Sequence, residues 1–255
     1  MSATPPVNLW RDAEHAQYYL ERRRSMPRRQ EGYATLLELV PPAPRRVLDL
    51  GCGDGEVVAR ISELHAGIDA VACDFSPEML ERARQRFTGT NVRVVEHDLD
   101  EPLPAAWGTF DMVVSAFAIH HLVDERKRAL YREVFGCLGP GGVFCNLEHV
   151  DSPTPELHEA FLAAIDVDHD DPSNKLVSVE TQLGWLRELG YEHVDCHWKW
   201  REMALLAGTK PAWLVVEEPE GRHAVPLRRR DQRTWSRWVA IALTCSCACR
   251  LPGSA

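Results

Sequence analysis

Glycines at 51, 53 and 55 alternate with Cys52 and Asp54, directly after the apolar run Val47-Leu48-Asp49-Leu50 and before a helical pattern at Val57 to Leu64. A strand-to-helix turn without side chains bends sharply and lets the backbone come close to a ligand. The dinucleotide spacing G-x-G-x-x-G fails, because Glu56 stands where the third glycine would be. Asp49 is a carboxylate at the end of a core strand, placed either to orient the turn or to bind a cationic amino group. Asp74 closes the next apolar run, Val71-Ala72-Cys73. A carboxylate there accepts hydrogen bonds from ribose hydroxyls and repels a 2′-phosphate; the alternative is a helix cap. Phe75 and Met79 are positioned to flank an adenine. Glu96-His97-Asp98-Leu99, after the third run, offers acceptors for an adenine amino group, or is an ordinary polar loop.

A second group of residues suits proton transfer and anion binding. His120 and His121 follow the fourth apolar run, Phe110 to Phe117. Imidazole titrates near neutral pH, so either is a candidate base at the carboxyl edge of a sheet. Adjacent helical positions point in different directions, so the pair alternatively caps the next helix and packs on a ligand. Tyr18, Tyr19, Arg28 and Arg29 lie in amino-terminal helical segments, and an arginine there either grips a carboxylate bidentately or is solvated. Glu148 and His149 end the fifth strand and are expected to reach an acceptor. Trp198, Lys199 and Trp200 line an aromatic pocket or pack at strand spacing. Cys245, Cys247 and Cys249 alternate near the end, but their flanks supply no second ligand cluster, so no metal site is expected.

The elements that must position these residues alternate between strand and helix. After the breaker Pro41-Pro42-Ala43-Pro44, strands are expected at 47–50, 70–73, 92–95, 110–117 and 143–148. Helices are expected at 57–64, 76–87 and 125–138, with Ser76 as cap and Pro77 in the first turn. Gly139-Pro140-Gly141-Gly142 reads as a turn. Alternation of this kind makes a parallel sheet with helices on both faces. Further helices at 28–39, 155–165 and 179–189, the last ended by Gly190, and strand-like runs at 193–198 and 203–207 extend the same sheet.

The chain has 255 residues, 45% hydrophobic and 26% charged, with a formal net charge of -9. That length suits one α/β domain. Acidic charge disfavours a nucleic-acid partner, whose phosphates need a basic patch, and favours a small-molecule substrate. Met1 to Trp10 has no signal-peptide pattern, no apolar run reaches about 18 residues, and the cysteines form no secreted framework. A cytoplasmic protein without membrane contact is expected.

Taken together, the stretches resemble the class I S-adenosylmethionine-dependent methyltransferase family. Leu48-Asp49-Leu50-Gly51-Cys52-Gly53-Asp54-Gly55 is similar to its first motif, Asp74 to the acidic residue of its second, and Asp98-Leu99 to its adenine-site motif. Phe110-Asp111-Met112-Val113-Val114-Ser115 resembles the fourth-strand motif, and Leu138-Gly139-Pro140-Gly141-Gly142 the L-K-P-G-G turn with Gly139 for Lys. The resemblance implies a Rossmann-like, mostly parallel sheet of seven strands, the last antiparallel. It implies S-adenosylmethionine as cofactor, with Asp49, Gly51, Gly53 and Gly55 on the methionine part, Asp74 on the ribose, and Asp98 and Leu99 on the adenine. Phe75, Met79 and Ser115 complete the cofactor set; Tyr19, Arg29 and Glu148 are assigned to the substrate, and His120 and His121 to catalysis. It also implies a helical lid over 1–44 and a catalytic domain over 45–216; the shift from acidic Glu217–Glu220 to basic Arg228–Arg230, with no clear period after it, makes 217–255 an expected disordered or loosely attached tail. Methyl transfer to an unidentified small molecule is the expected activity. A carboxy-S-adenosylmethionine synthase, a tRNA-modifying enzyme, or a cofactor-binding protein without turnover are the alternatives.

Overall fold

In the computed structural model the described residues are 20, 22–23, 25–168 and 170–212. Expectations placed on Tyr18, Tyr19, the tail 217–255 and its cysteines lie outside them. Chain order is α1 (Arg29–Glu38), β1 (Arg46–Leu50), α2 (Glu56–Leu64), β2 (Asp69–Asp74), α3 (Pro77–Arg86), β3 (Val92–Glu96), β4 (Phe110–Ala116), α4 (Asp124–Cys137), β5 (Leu138–His149), α5 (Pro155–Ala164), α6 (Val179–Glu188), β6 (Glu192–Trp200) and β7 (Met203–Thr209). Single 3-10 turns occur at Ala105–Trp107 and Ile119–His121.

The seven strands form one sheet in the order β3-β2-β1-β4-β5-β7-β6. β1 to β5 pair in parallel, and β7 runs antiparallel between β5 and β6. Strand alternation divides the core. Val47, Met112, Val114, Cys145 and Leu147 pack toward Tyr33, Leu36, Val57, Val58, Ile61 and Phe161, from α1, α2 and α5. Leu48, Leu50, Val113 and Phe144 pack toward Leu130, Tyr131, Val134, Leu183 and Leu186, from α4 and α6. Strands covered on both faces read as near-continuous apolar runs, which is why the periodicity of β1 and β4 is weak. A fully buried side chain such as Ile61 contributes roughly 1.5–3 kcal/mol by leaving water.

The strand order reverses between β1 and β4. Chains leave that point in opposite directions and open a crevice at the carboxyl ends of the strands, where ligands sit in open α/β sheets. Two local expectations need correction. Ser76 is the residue before α3, but its hydroxyl makes no cap; its N–H donates instead to Asp74. Gly139 to Gly142 is not a free turn but the irregular start of β5, where the register slips between Phe110 and Met112.

Candidate active site

Gly51, at φ 66°, starts the turn after β1, and a Cβ there would stand 2.3 Å from the Cβ of Ala118. Only glycine permits that approach of the β1 and β4 loops. Gly53, at φ 54°, would place a Cβ with only Met79 Sδ near it, at 3.9 Å, so the space beside the turn stays open. Gly55 does a different job. It caps α2 at φ 82°, and a Cβ would meet the Phe87 ring at 2.3 Å. The N–H of Gly53 donates to Asp74 Oδ2 and that of Ser76 to Oδ1, both at 2.9 Å, so Asp74 ties the end of β2 to the glycine turn. Burial raises the Asp74 carboxyl, against these two bonds. Next to it, Arg23 grips Asp54 through two bonds of 2.7 and 2.6 Å, and Arg86 adds a third at 2.8 Å. Burial would raise the Asp54 carboxyl; the two guanidinium groups outweigh it and hold it below the usual range.

A cavity of about 320 Å³ lies over this turn. One end is lined by Asp74, Phe75, Met79, His97, Asp98 and Leu99; the other by Arg29, Tyr33, Phe117, His121, Pro172, Ser173 and Lys175. Between them sit Asp49, Gly51, Cys52 and Gly53. Both oxygens of Asp49 are buried without a hydrogen bond; the N–H of Val58 bears on the carboxylate but falls short of bonding geometry. Burial, reinforced by Asp74, pushes its carboxyl up to about 8. A buried carboxylate without a partner costs free energy unless it is neutralised or meets a cationic donor.

At the other end Phe117 takes φ 57°, and its N–H donates to Leu147 O at 2.8 Å. A bulky residue in the left-handed region stores on the order of 1–3 kcal/mol of strain, a cost seen mostly at functional sites. The conformation turns the Phe117 ring beneath the buried Arg29 guanidinium, 4.1 Å from its centroid. Arg29 also donates to Tyr33 Oη at 3.1 and 2.7 Å. The Ile119–His121 turn then splits the histidine pair. His121 lines the cavity, and its Nδ1 lies 3.0 Å from Ser173 Oγ. His120 faces away, its Nδ1 2.5 Å from Glu148 Oε1. Burial lowers both imidazoles to about 3 and raises Glu148 to about 7.

The structure therefore gathers Asp49, Gly51, Gly53, Asp74, Phe75, Met79, Asp98, Leu99, Arg29 and His121 around one cavity. Four expected residues do not line it. Ser115 is fully buried and donates to Leu50 O at 2.8 Å, tying β4 to β1. Glu148 shares the face of β5 that carries Phe144 and Asn146, so alternation turns it behind the wall with His120. Gly55 serves the helix start. Arg23, Tyr33, Phe117, Pro172, Ser173 and Lys175 were missed. Arg23 belonged to a visible basic run and Pro172 to Lys175 followed the acidic loop, but nothing local tied either to the glycine turn.

The profile described as a methyltransferase domain matches residues 47–142. A demethylmenaquinone methyltransferase of Clavibacter sepedonicus is 30% identical over 213 residues, covering 76% of this chain and 81% of that protein. The chain belongs to the S-adenosylmethionine-dependent methyltransferase family. A demethylmenaquinone methyltransferase of Thermus thermophilus is 36% identical over 113 residues, 44% of this chain, and the match spans only half of that protein. Among solved structures, PigF with SAH superposes at a TM-score of 0.58 with 21% identity, over 79% of this chain and 61% of that one, a likeness of fold. The family's cofactor fits the residues present. Its amino group would supply the cationic donor that the buried Asp49 carboxylate lacks, and Gly53 and Asp74 line the same cavity. No helix among the described residues is long and apolar enough to cross a membrane.

Proposed function

We propose that the protein transfers a methyl group from S-adenosylmethionine to a small-molecule acceptor that enters beside Phe117 and His121. The observation that carries this is the continuous cavity, acidic at the glycine turn and lined by Arg29, His121 and Lys175 at its far end. In this reading Asp74 accepts from the ribose hydroxyls. Asp98, Leu99, Phe75 and Met79 surround the adenine, and Asp49 with the Gly51–Gly53 backbone takes the methionine part.

When bound, the sulfonium supplies an electrophilic methyl group. The residues of this chain align the acceptor with it, chiefly a matter of proximity and orientation. Phe117 and Tyr33 wall the far end against water, and Arg29 stacked on Phe117 presents a cation to any anionic part of the acceptor. As an acceptor hydroxyl oxygen gains the methyl group its proton becomes strongly acidic. A neutral His121, whose imidazole burial has lowered to about 3, suffices to take that proton late in the transfer.

Three relatives are named demethylmenaquinone methyltransferases, so demethylmenaquinone heads the acceptor panel. The test is transfer of label from methyl-labelled S-adenosylmethionine to that compound and to pools of phenols, carboxylic acids and amines. Labelled product supports the reading. Tight binding of S-adenosylhomocysteine with no labelled product from any pool would leave a cofactor-binding protein instead.

A further inference from the structure

The cavity is divided by charge. Asp49, Asp74, Asp98, Asp100 and Glu56 line it toward the glycine turn and Leu99, whereas the far end carries Arg29 and Lys175. Lys175 is held there by both sides of its own backbone. Its N–H donates to His120 O at 2.9 Å, and the buried Lys127 ammonium of α4 donates to its carbonyl oxygen. At the other end of the side chain, Lys175 Nζ donates to His121 O at 2.5 Å, with Ser173 O at 3.5 Å.

These contacts fix the ammonium but leave its charge unanswered. Both oxygens belong to neutral carbonyls, and among the described residues no carboxylate comes within ion-pair distance of Nζ. Lys127 differs, because Asp124 Oδ1 lies 3.2 Å from its Nζ. The neighbouring His120 ring feels the same excess. Burial is the main cause of its low pKa; of the charged groups around it Asp171 opposes the lowering, while Lys127, Arg29 and Lys175 deepen it. A cleft lined by one sign of charge concentrates its field and draws in a ligand of the other sign. Beside Lys175 the walls are apolar, formed by Phe117, Leu122 and Pro172.

We propose that Lys175 selects the methyl acceptor by charge, docking a carboxylate carried on an aromatic body that packs beside Phe117 and Pro172. This rests on the proposed reading of the far end as the acceptor's place. One ammonium suits a singly charged carboxylate better than a doubly charged phosphate. The carboxylate is an anchor and not the atom methylated, because a cation bonded to it lowers its basicity and with it its readiness to attack. The methyl group goes to another atom of the same molecule, such as a hydroxyl oxygen whose proton His121 receives. Amines, cationic at pH 7, are repelled from this end, and neutral aromatics forgo the anchor.

The preference can be read without an acceptor. Protein saturated with S-adenosylhomocysteine at pH 7 is titrated with benzoate and with benzamide, its neutral isostere, and the amide signals of Ser173 and Lys175 are followed by NMR. Benzoate should bind roughly tenfold more tightly, the low end for a charge-assisted hydrogen bond because the site is open to water, and added salt should narrow the gap. Lys175→Gln should bring the two within about twofold, and Lys175→Arg should restore the preference. Equal affinities in the native protein, binding by neither compound, or a benzoate preference that survives Lys175→Gln would overturn the inference. Methyl transfer is judged apart. Label that reaches demethylmenaquinone or another neutral acceptor, and no aromatic acid, also overturns the inference but leaves the proposed function standing. No label in any product, with benzoate preferred through Lys175, removes the transfer and leaves the docking site.

Discussion

Asp49→Asn is expected to stabilise the protein while weakening its affinity for the cofactor. The Asp49 carboxyl is fully buried, makes no hydrogen bond, and has its pKa pushed up to about 8. In the unfolded chain it returns to about 3.9. At pH 7 the folded protein therefore holds a proton that the unfolded chain releases. Roughly three pH units at 1.36 kcal/mol each make this a penalty of up to about 4 kcal/mol. Because the folded pKa lies above the unfolded one, the folded state binds more protons between about pH 4 and 8. The stability linked to this group is fully present below pH 4 and is lost as pH rises through 8. Asparagine cannot ionise, so the variant should gain about 2–4 kcal/mol at pH 7 after some relaxation, and nothing at pH 4. For a domain of this size that raises Tm by roughly 5–15 °C at pH 7, which calorimetry at the two pH values reads directly. Binding runs the other way. The cofactor's cationic amino group needs the carboxylate ionised, so binding at pH 7 releases close to one proton, detectable in buffers of different ionisation heat. Affinity for S-adenosylhomocysteine should rise about tenfold per pH unit from 5.5 to 7 in the native protein, and stay flat in the variant. A variant less stable than native at pH 7, or native affinity that ignores pH, would refute the reasoning.

Other substitutions separate the roles assigned above. Asp74→Ala should weaken S-adenosylhomocysteine binding by on the order of 1.5–3 kcal/mol, about 10- to 150-fold by calorimetry, because a charged acceptor is lost. Gly51→Ala combines a positive φ with a Cβ 2.3 Å from Ala118, and should forfeit binding and lower Tm together. His121→Ala should slow saturated turnover by roughly 10²–10⁴-fold with cofactor affinity near native. His120→Ala should instead lower stability by on the order of 2–4 kcal/mol, measured in urea, since it strands the buried Glu148.

The fold was legible where one residue type had one local reason. The glycine turn, Asp74 at the end of β2 and, except for the start of β5, the strand–helix alternation fell within a residue or two of their observed places, because burial on both faces and backbone bending leave their mark in a short window. The count of seven strands and the antiparallel last strand came from family resemblance, not from the residues, and the order of the strands comes from the structure alone. Side-chain direction at strand ends was less legible. Glu148 and Ser115 stand near the right edge of the sheet, yet alternation turns both inward, toward His120 and Leu50. A polar residue next to a motif reads as a ligand group whichever way it points. Arg23 and Ser173 were illegible for a different cause. They reach Asp54 and His121 across 31 and 52 residues, and contacts at that separation leave no periodic trace.

The most direct test of the account is the crystal structure of the protein with S-adenosylhomocysteine. The account predicts ribose hydroxyls on Asp74, adenine beside Asp98 and Leu99, the amino group on Asp49, and the sulfur facing Phe117 and His121. A ligand bound with its amino group away from Asp49, or no ligand in the cavity at saturating concentration, would contradict it.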